Sequence, residues 1–346
     1  MSIIYFILIL SVIIIIHELG HLLTAKYFHV YCQEFSIGMG PVIYKHQGKE
    51  TAFSIRALPL GGFVSMAGEE GVDDESIPFE RTLKGIAWWK QVIIMAAGAI
   101  MNVLLAWILF IMVTMVQGRV VLPSEPIVAG FTEDSVAEAA GFKIGDRITK
   151  ITSGSEVTTV DTFDDITEHI SYFPKTEAVF TVERDGSETE IKLTPKYNES
   201  EDRYLAGFQA DVNVKEISLI ESFQYGTTRM IDGSTAIFRS LSKLIRGIGL
   251  ENLSGPVGIF QITAETTQNG IIPAISLIAL LSLNIGIFNL LPLPVLDGGR
   301  IFMTLIEKIS GRKLSERAEM VIMMIGVVLL VALMVFATWQ DILRLF

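Results

Sequence analysis

The chain has 346 residues, of which 50% are hydrophobic and 19% are charged, and its formal net charge is −11. So much apolar content excludes an ordinary soluble protein, and so many charges exclude a bundle made only of membrane helices. The single cysteine, Cys32, excludes an intramolecular disulfide and a cysteine-based zinc finger. We therefore expect one part of the chain in the membrane and one part in water.

Four apolar runs are long enough to cross a bilayer. They cover Ile3 to about Ala25, Val92–Val116, Ile271–Leu291 and Met320–Thr338. The first run has neither the basic start nor the small-residue cleavage site of a secretory signal, so we interpret it as a retained span. Lysine and arginine are concentrated in the first and third links between spans, which the positive-inside rule places in the cytoplasm, with both termini outside.

An HExxH motif, His17-Glu18-Leu19-Gly20-His21, ends the first apolar run. Positions i and i+4 share a helical face, so His17 and His21 can bind one zinc ion while Glu18 lies beside it. The motif is short enough to occur by chance. In hydrocarbon, however, a central charged group costs about 2.5 kcal/mol or more, and such residues persist there mainly where they line a site. The motif therefore predicts a zinc site at membrane depth.

Short strands are predicted between the first two spans, over Glu34–Gly40, Thr51–Ile55 and Gly61–Met66, with Gly and Pro between them. Such a β-region can enter the membrane beside the zinc if protein or a wet cavity covers its backbone. A hairpin that stays in the cytoplasm is the alternative.

The segment 118–215 carries nineteen Asp and Glu against ten Lys and Arg, a balance of −9 out of the chain's −11. The acidity of the chain therefore belongs to this segment. It argues against nucleic acid as a partner, because phosphate binding needs a basic face.

The order of motifs in the acidic segment resembles a PDZ domain. A strand at Ile127–Phe131 is followed by the run Ser135–Ile148, a helix at Ile166–Ile170, and strands at Val179–Arg184 and Ile191–Leu193. PDZ domains bind extended peptide ends by adding a strand to a sheet edge, so peptide ends are expected partners. A spacer without a ligand is the alternative, because an exposed edge invites pairing without requiring it.

The segment 216–250 favours amphipathic helices. Its apolar positions Phe238, Leu241, Leu244, Ile245 and Ile248 are interleaved with Arg239, Lys243 and Arg246. Such a basic amphipathic segment is typical of a helix on the outer membrane surface or under the PDZ-like domain, and core packing explains the same spacing.

A catalytic zinc ion needs a third protein ligand and keeps a fourth position open. Asp297 is the only ionisable residue from Ile271 through Gly299, and a carboxylate so placed needs a metal or a cationic partner. The first and third spans run in the same direction, so His21 and Asp297 emerge on the same side of the membrane. Glu34 is an alternative ligand, and a helix N-cap is the alternative role of Asp297.

Two prolines, Pro292 and Pro294, stop helix propagation before Asp297 and turn the chain so that the carboxylate can face back into the bundle.

The third span also holds two asparagines. We interpret Asn289 as a hydrogen-bonding residue for the substrate or an oxyanion, and Asn284 as a residue that packs helices together.

The HExxH motif, the PDZ-like insert, the run Leu253–Ile259 (LSGPVGI) and the run Leu283–Gly299 that ends in LPLPVLDGG together resemble the bacterial site-2 protease family of intramembrane zinc metalloproteases. The resemblance covers essentially the whole chain, although Gram-negative members carry two PDZ units. It implies a polytopic α-helical membrane protein with four transmembrane helices, a membrane-associated β-region and an inserted α+β PDZ-like domain.

The resemblance also implies roles for individual residues. His17, His21 and Asp297 would bind one catalytic Zn²⁺ ion, Glu18 would transfer protons, and Asn289 would contribute to the active site. The β-region would bind the substrate backbone. Its candidate substrate-binding residues are Gly61, Gly62 and Phe63.

The implied function is regulated intramembrane proteolysis, in which transmembrane segments of pre-trimmed single-span proteins such as anti-sigma factors, or signal-peptide remnants, are cleaved. The implied location is the bacterial cytoplasmic membrane, with the active site near the cytoplasmic side and the PDZ-like domain outside. The predicted parts are a first membrane part at 1–117, the PDZ-like domain at 118–215, amphipathic linker helices at 216–270 and a second membrane part at 271–346.

Asn102 receives no catalytic role from the resemblance. The sequence Ala97-Gly98-Ala99 before it lacks the proline of many relatives, so we interpret Asn102 as a polar residue that packs helices.

The competing function is a catalytically inactive membrane adaptor with a PDZ-like domain, which predicts no tightly bound metal. A zinc carrier ranks last, because His29, His46 and His169 all lie outside the spans.

Overall fold

The structure is a computed structural model that describes residues 2–69, 76–199, 201, 203–312 and 314–344. The chain divides into two compact units. The first, here called the membrane unit, comprises Met1–Val116, Ile220–Ile245 and Leu253–Phe346, and the second, the acidic unit, comprises Gln117–Leu219 and Arg246–Asn252.

The membrane unit begins with a helix, a β-hairpin and a second helix. These are α1 (Ser2–Tyr27), β1 (Cys32–Gln47), β2 (Ala52–Met66) and α2 (Trp88–Gln117). The predicted strands at 34–40, 51–55 and 61–66 fall within these two longer strands. Gly38 and Gly61 have φ of 85° and 84°, a left-handed backbone that glycine adopts without a steric cost, and the pairing register shifts along this part of the hairpin.

The described residues of the acidic unit form short strands and two α-helices. They are β3 (Arg119–Val121), β4 (Gly130–Phe131), α3 (Val136–Ala139), β5 (Arg147–Ser153), β6 (Glu156–Thr159), α4 (Phe163–Tyr172), β7 (Ala178–Arg184), β8 (Ser187–Leu193), β9 (Lys196–Asn198), β10 (Arg203–Leu205), β11 (Phe208–Gln209) and β12 (Val214–Glu216). Strands β6, β5, β7 and β8 form an antiparallel sheet in that order, and β4 pairs with β11.

The strand predicted at 127–131 is shorter in the structure. Ile127 bridges to Arg147, whereas Gly130 and Phe131 form β4 and pair with β11. The segment therefore changes partner along its length, and periodicity alone does not show this. The core of the acidic unit surrounds Phe180, which is fully buried and packs edge-on against Phe142 at 5.5 Å between ring centres.

In the part of the chain that the structure describes, the membrane unit resumes with five α-helices, which are α5 (Leu219–Ile245), α6 (Pro256–Gln268), α7 (Ile271–Asn289), α8 (Asp297–Ser310) and α9 (Glu316–Leu343). Among the described residues, α1, α2, α7 and the Arg317–Leu343 part of α9 are long and apolar enough to cross a membrane. They match the four predicted spans.

Small residues allow the spanning helices to approach closely. A Cβ added to Gly20 of α1 would lie 2.5 Å from the carbonyl oxygen of Ala97 on α2, and one added to Gly286 of α7 would lie 3.0 Å from the carbonyl oxygen of Ala99. In lipid there is little hydrophobic force between helices, so close backbone packing of this kind holds them together. The helix α2 thus packs against both α1 and α7.

The LSGPVGI run is bound by the last spanning helix. Asp341 of α9 is 1% exposed, and its carboxylate accepts the backbone N–H groups of Gly255 at 3.1 Å and Gly258 at 2.8 Å. These N–H groups lie at the start of α6, where a carboxylate is stabilised by the helix dipole. Glycine is required because a Cβ at either position would lie within 2.8 Å of the carboxylate oxygens.

A buried ion pair stabilises the acidic unit. The carboxylate of Asp146 is 1% exposed and accepts two hydrogen bonds of 2.6 Å from the Arg184 guanidinium and one of 2.8 Å from the Lys143 backbone. Burial by itself raises the pKa of Asp146, but these hydrogen bonds outweigh it and hold the pKa below the ordinary value of 3.8.

We expect the Asp146→Asn variant to lower the stability of the acidic unit at neutral pH. A carboxyl whose folded pKa is depressed contributes its full stability above its ordinary pKa and loses it as the pH falls through the folded pKa. The difference between variant and parent should therefore shrink below about pH 4. Hydrogen exchange of the β7 amides in the full chain measures it. The exposed neighbour Asp185→Asn is the control, and an equal effect there would contradict the assignment.

Candidate active site

The helix α1 places both motif histidines on one buried face. His17 is 9% exposed and His21 is 5% exposed, and their Nε2 atoms are 3.2 Å apart. At this distance at least one of the two nitrogens carries a lone pair. Both nitrogens face a common centre, as the i, i+4 spacing predicts.

Asp297 lies at the same centre. It is the first residue of α8, and its Oδ2 is 3.1 Å from His17 Nε2 and 3.3 Å from His21 Nε2. The same oxygen is buried and accepts no hydrogen bond from any described residue. The structure thus brings together the three residues that the sequence assigned to zinc, from positions almost three hundred residues apart.

The three ligand atoms fit a zinc ion. They lie 3.1, 3.2 and 3.3 Å apart. Ligands at about 2.0 Å from a tetrahedral zinc ion are separated by about 3.3 Å, so the triangle has the size of one tetrahedral face. Two neutral imidazoles and one carboxylate form a donor set that zinc prefers, and three protein ligands leave one position open.

His21 has the hydrogen bond that a metal-bound histidine needs. Its Nδ1 lies 2.8 Å from the carbonyl oxygen of Ile94 on α2. A carbonyl oxygen only accepts, so Nδ1 carries the proton and donates, and Nε2 keeps the lone pair that binds metal.

The loop before Asp297 is tightly folded, and this explains its composition. The helix α7 ends at Asn289, and the backbone turns through hydrogen bonds such as Leu296 N–H to the Leu293 carbonyl at 2.9 Å. A Cβ on Gly298 would clash with the carbonyl oxygens of Leu290 and Leu291. Only glycine therefore allows this loop to fold back over the start of α8 and direct Asp297 to the histidines.

Glu18 connects the metal group to the β-hairpin. Its Oε2 accepts the backbone N–H of Val64 on β2 at 3.0 Å. Gly62 lies next to it, since a Cβ there would be 3.8 Å from Glu18 Cγ. The candidate residues Gly61, Gly62 and Phe63 are all on β2, and Gly62 and Val64 place this strand beside the proposed proton-transfer residue.

Glu34, the alternative ligand, is engaged elsewhere. Its Oε1 accepts hydrogen bonds from Ser54 at 2.5 Å and from Arg56 at 2.7 Å. The only group of three or more candidate ligands among the described residues is His17, His21 and Asp297.

Asn289 ends α7, and its side chain makes no hydrogen bond to another described residue, so its role stays a prediction.

Two residues of α2 contact the histidines, and sequence reasoning did not assign them to the site. A Cβ on Gly98 would lie 2.8 Å from His17 Nε2 and would clash with His21 Nε2. Asn102, one turn later, is fully buried with its Nδ2 3.4 Å from His17 Nδ1. The available signal was a polar residue inside an apolar span, four positions after a glycine.

An ion pair links the hairpin to the helix that carries Asp297. Arg300, one turn after Asp297 on α8, pairs with Glu69, whose other carboxylate oxygen accepts the backbone N–H of Met66 at 3.1 Å. The end of β2 and the start of α8 are therefore held together.

We expect Gly98→Ala to lower the affinity for zinc about tenfold or more, because the added methyl group would occupy the space of both imidazoles. Chelator competition on the detergent-purified chain measures it. Gly233→Ala on α5 is the matched control, since its methyl group would contact only the end of the Leu283 side chain, at 3.1 Å. Wild-type affinity in Gly98→Ala would contradict this prediction.

Comparisons with known proteins agree with this geometry. A model of peptidase family M50 matches residues 5–333. The regulator of sigma-W protease RasP of Bacillus subtilis (strain 168) is 31% identical over 423 aligned positions that cover 100% of this chain and 99% of that protein. The zinc metalloproteases RasP of Bacillus licheniformis and Shouchella clausii are 30% and 32% identical, with coverage of 100% and 99% of this chain and of 99% and 98% of theirs.

The predictions of an enzyme and of zinc as its cofactor are confirmed by this family match and by the names of the relatives. The four apolar helices further agree with a multi-pass membrane protein. The chain belongs to peptidase family M50, the site-2 proteases, and is a zinc metalloprotease of the membrane.

Proposed function

We propose that the chain cleaves peptide bonds within transmembrane segments, at a zinc ion held by His17, His21 and Asp297. The observation that carries this proposal is the triangle of ligand atoms, with sides of 3.1 to 3.3 Å, formed between the spanning helix α1 and the first residue of α8. Zinc bound there would lower the pKa of a coordinated water and polarise a carbonyl group.

Glu18 is the proposed proton carrier. One of its carboxylate oxygens is held by the Val64 N–H at 3.0 Å, which leaves the other free to accept a proton from the attacking water and deliver it to the leaving amine. The hydrogen bond fixes the carboxylate beside the ligands, so the chain does not need to reorganise during the reaction.

The substrate would bind as an added strand along the end of β2. Residues 34–37 of β1 pair with 52–55 on one side and with 62–65 on the other, so 62–65 form the last strand on that side of the sheet. A substrate helix must unwind before its bonds are accessible, and new backbone hydrogen bonds to this strand would replace those lost. Gly61, Gly62 and Phe63 are the proposed contacts to its backbone, and Asn289 is a further proposed contact.

A membrane position for the hairpin is supported by its surface. Ser11, well inside α1, donates a hydrogen bond of 2.5 Å to the carbonyl oxygen of Pro59 on β2. The hairpin also exposes the large apolar side chains Met39, Val42, Ile43, Tyr44 and Leu58. Exposed apolar side chains next to a spanning helix are suited to lipid rather than to water.

The proposed substrates are single-span proteins already shortened outside the cell, such as anti-sigma factors, and signal-peptide remnants. The name of the Bacillus subtilis relative, a regulator of sigma-W protease, supports a role in sigma-factor regulation. The acidic unit, with its PDZ-like motif order, would bind peptide ends and screen bulky ectodomains. Its proposed place is outside the cytoplasmic membrane, with the zinc site near the cytoplasmic side.

We expect Glu18→Gln to abolish cleavage of a model transmembrane peptide while zinc content stays at one ion per chain. The amide keeps the shape and still accepts the Val64 N–H, but it cannot take a proton. A chelator-treated wild type is the control for metal dependence. Full activity in the variant would contradict the mechanism.

We expect Asp297→Ala to lose tightly bound zinc, because two imidazoles alone bind it weakly. Zinc stoichiometry of the purified chain measures this. The matched control is Asp211→Ala in the acidic unit, which should keep one zinc ion. Stoichiometric zinc in Asp297→Ala would reject the ligand set, and absence of zinc from the wild type would favour the inactive adaptor.

A further inference from the structure

Asn102 is the most buried polar side chain next to the metal group. It is 0% exposed, and its amide lies against His17, with Nδ2 3.4 Å from the ring Nδ1. Its Oδ1 is also buried and has no hydrogen-bond partner among the described residues. A buried amide oxygen without a donor is unfavourable, so this arrangement needs a physical reason.

The tautomer of the neutral His17 ring supplies that reason. Its Nε2 faces His21 Nε2 at 3.2 Å and Asp297 Oδ2 at 3.1 Å, which assigns the lone pair to Nε2 when metal is bound. The neutral ring then carries its proton on Nδ1 and needs an acceptor there. His21 uses the Ile94 carbonyl for this purpose, and Asn102 occupies the equivalent position for His17.

A half-turn of the amide gives the Nδ1–H of His17 an acceptor and Asn102 Oδ1 a donor, and it moves Nδ2 to the buried position that Oδ1 held. The nitrogen and oxygen of an asparagine side chain exchange places on a rotation of 180°, and the two arrangements have the same shape. With Oδ1 toward the ring, the Asn102 oxygen accepts the proton of His17 Nδ1. The buried oxygen that lacked a donor then has one.

We propose that Asn102 is a positioning residue that accepts the Nδ1–H of His17 and so directs Nε2 to the metal. This inference rests on the zinc ligation proposed above. It adds to the interpretation of Asn102 as a helix-packing residue. The backbone and Cβ of Asn102 make the helix contacts: its carbonyl accepts a hydrogen bond from Ser282 Oγ at 2.8 Å, and a Cβ added to Gly286 would lie 3.3 Å from Asn102 Cβ. The amide itself is directed at the histidine.

The test compares two substitutions of the same size as asparagine in the detergent-purified full chain. Asn102→Leu removes the acceptor, and Asn102→Asp keeps it. We expect zinc affinity, measured by chelator competition, to fall about 10- to 100-fold in Asn102→Leu and to stay within about threefold of wild type in Asn102→Asp. Asn284→Leu is the matched control, because the Asn284 amide donates to Leu280 within its own helix, and its affinity should not change.

Thermal unfolding of each variant separates metal affinity from folding, and Asn102→Ala replaces Asn102→Leu if the larger side chain does not fold. Wild-type affinity in a folded variant without an acceptor would overturn the proposal, and so would an equal loss in Asn102→Asp. Asp297→Ala, run in parallel, distinguishes this failure from failure of the proposed ligand set. If only Asp297→Ala loses zinc, the ligands stand and the role of Asn102 is rejected.

Discussion

The convergence of two imidazoles and one carboxylate is the constraint on which the membrane unit depends. His17, His21 and Asp297 bring their ligand atoms within 3.3 Å of one another, and lone pairs at this distance repel unless a metal ion or a proton lies between them. The surrounding helices must therefore be held in place by contacts that do not involve the metal. Gly20 and Gly286 provide those contacts, because they let α1 and α7 pack directly on the backbone of α2.

Residues close in sequence to the proposed metal ligands connect them to the strand that is proposed to bind a substrate. Glu18 is adjacent to His17 in sequence and bonded to Val64 on β2 in space, and Arg300 follows Asp297 and pairs with Glu69 at the end of β2. Both connections join the metal group to one strand. A peptide held along that strand would therefore share a rigid frame with the ligands, which is the condition for precise positioning of a reacting bond.

The two units are stabilised by different physical means. The membrane unit relies on small residues and on single polar contacts such as Asp341 with Gly255 and Gly258, because its surface is apolar. The acidic unit has an ordinary hydrophobic core around Phe180 and the buried pair of Asp146 and Arg184. Its excess of acidic side chains belongs to the surface, where it favours solubility and does not specify the fold.

The sequence by itself predicted the four spans and the three residues of the proposed zinc site, since hydrocarbon penalises polar groups and a histidine pair and a lone aspartate persist there mainly where they line a site. It did not determine how α2 contributes. Gly98 and Asn102 act through atoms that meet His17 and His21 only after three helices have packed, and periodicity shows which face a residue takes but not which neighbour it meets. Only the tertiary structure decided that, because contacts between distant segments depend on the packing distance of their backbones.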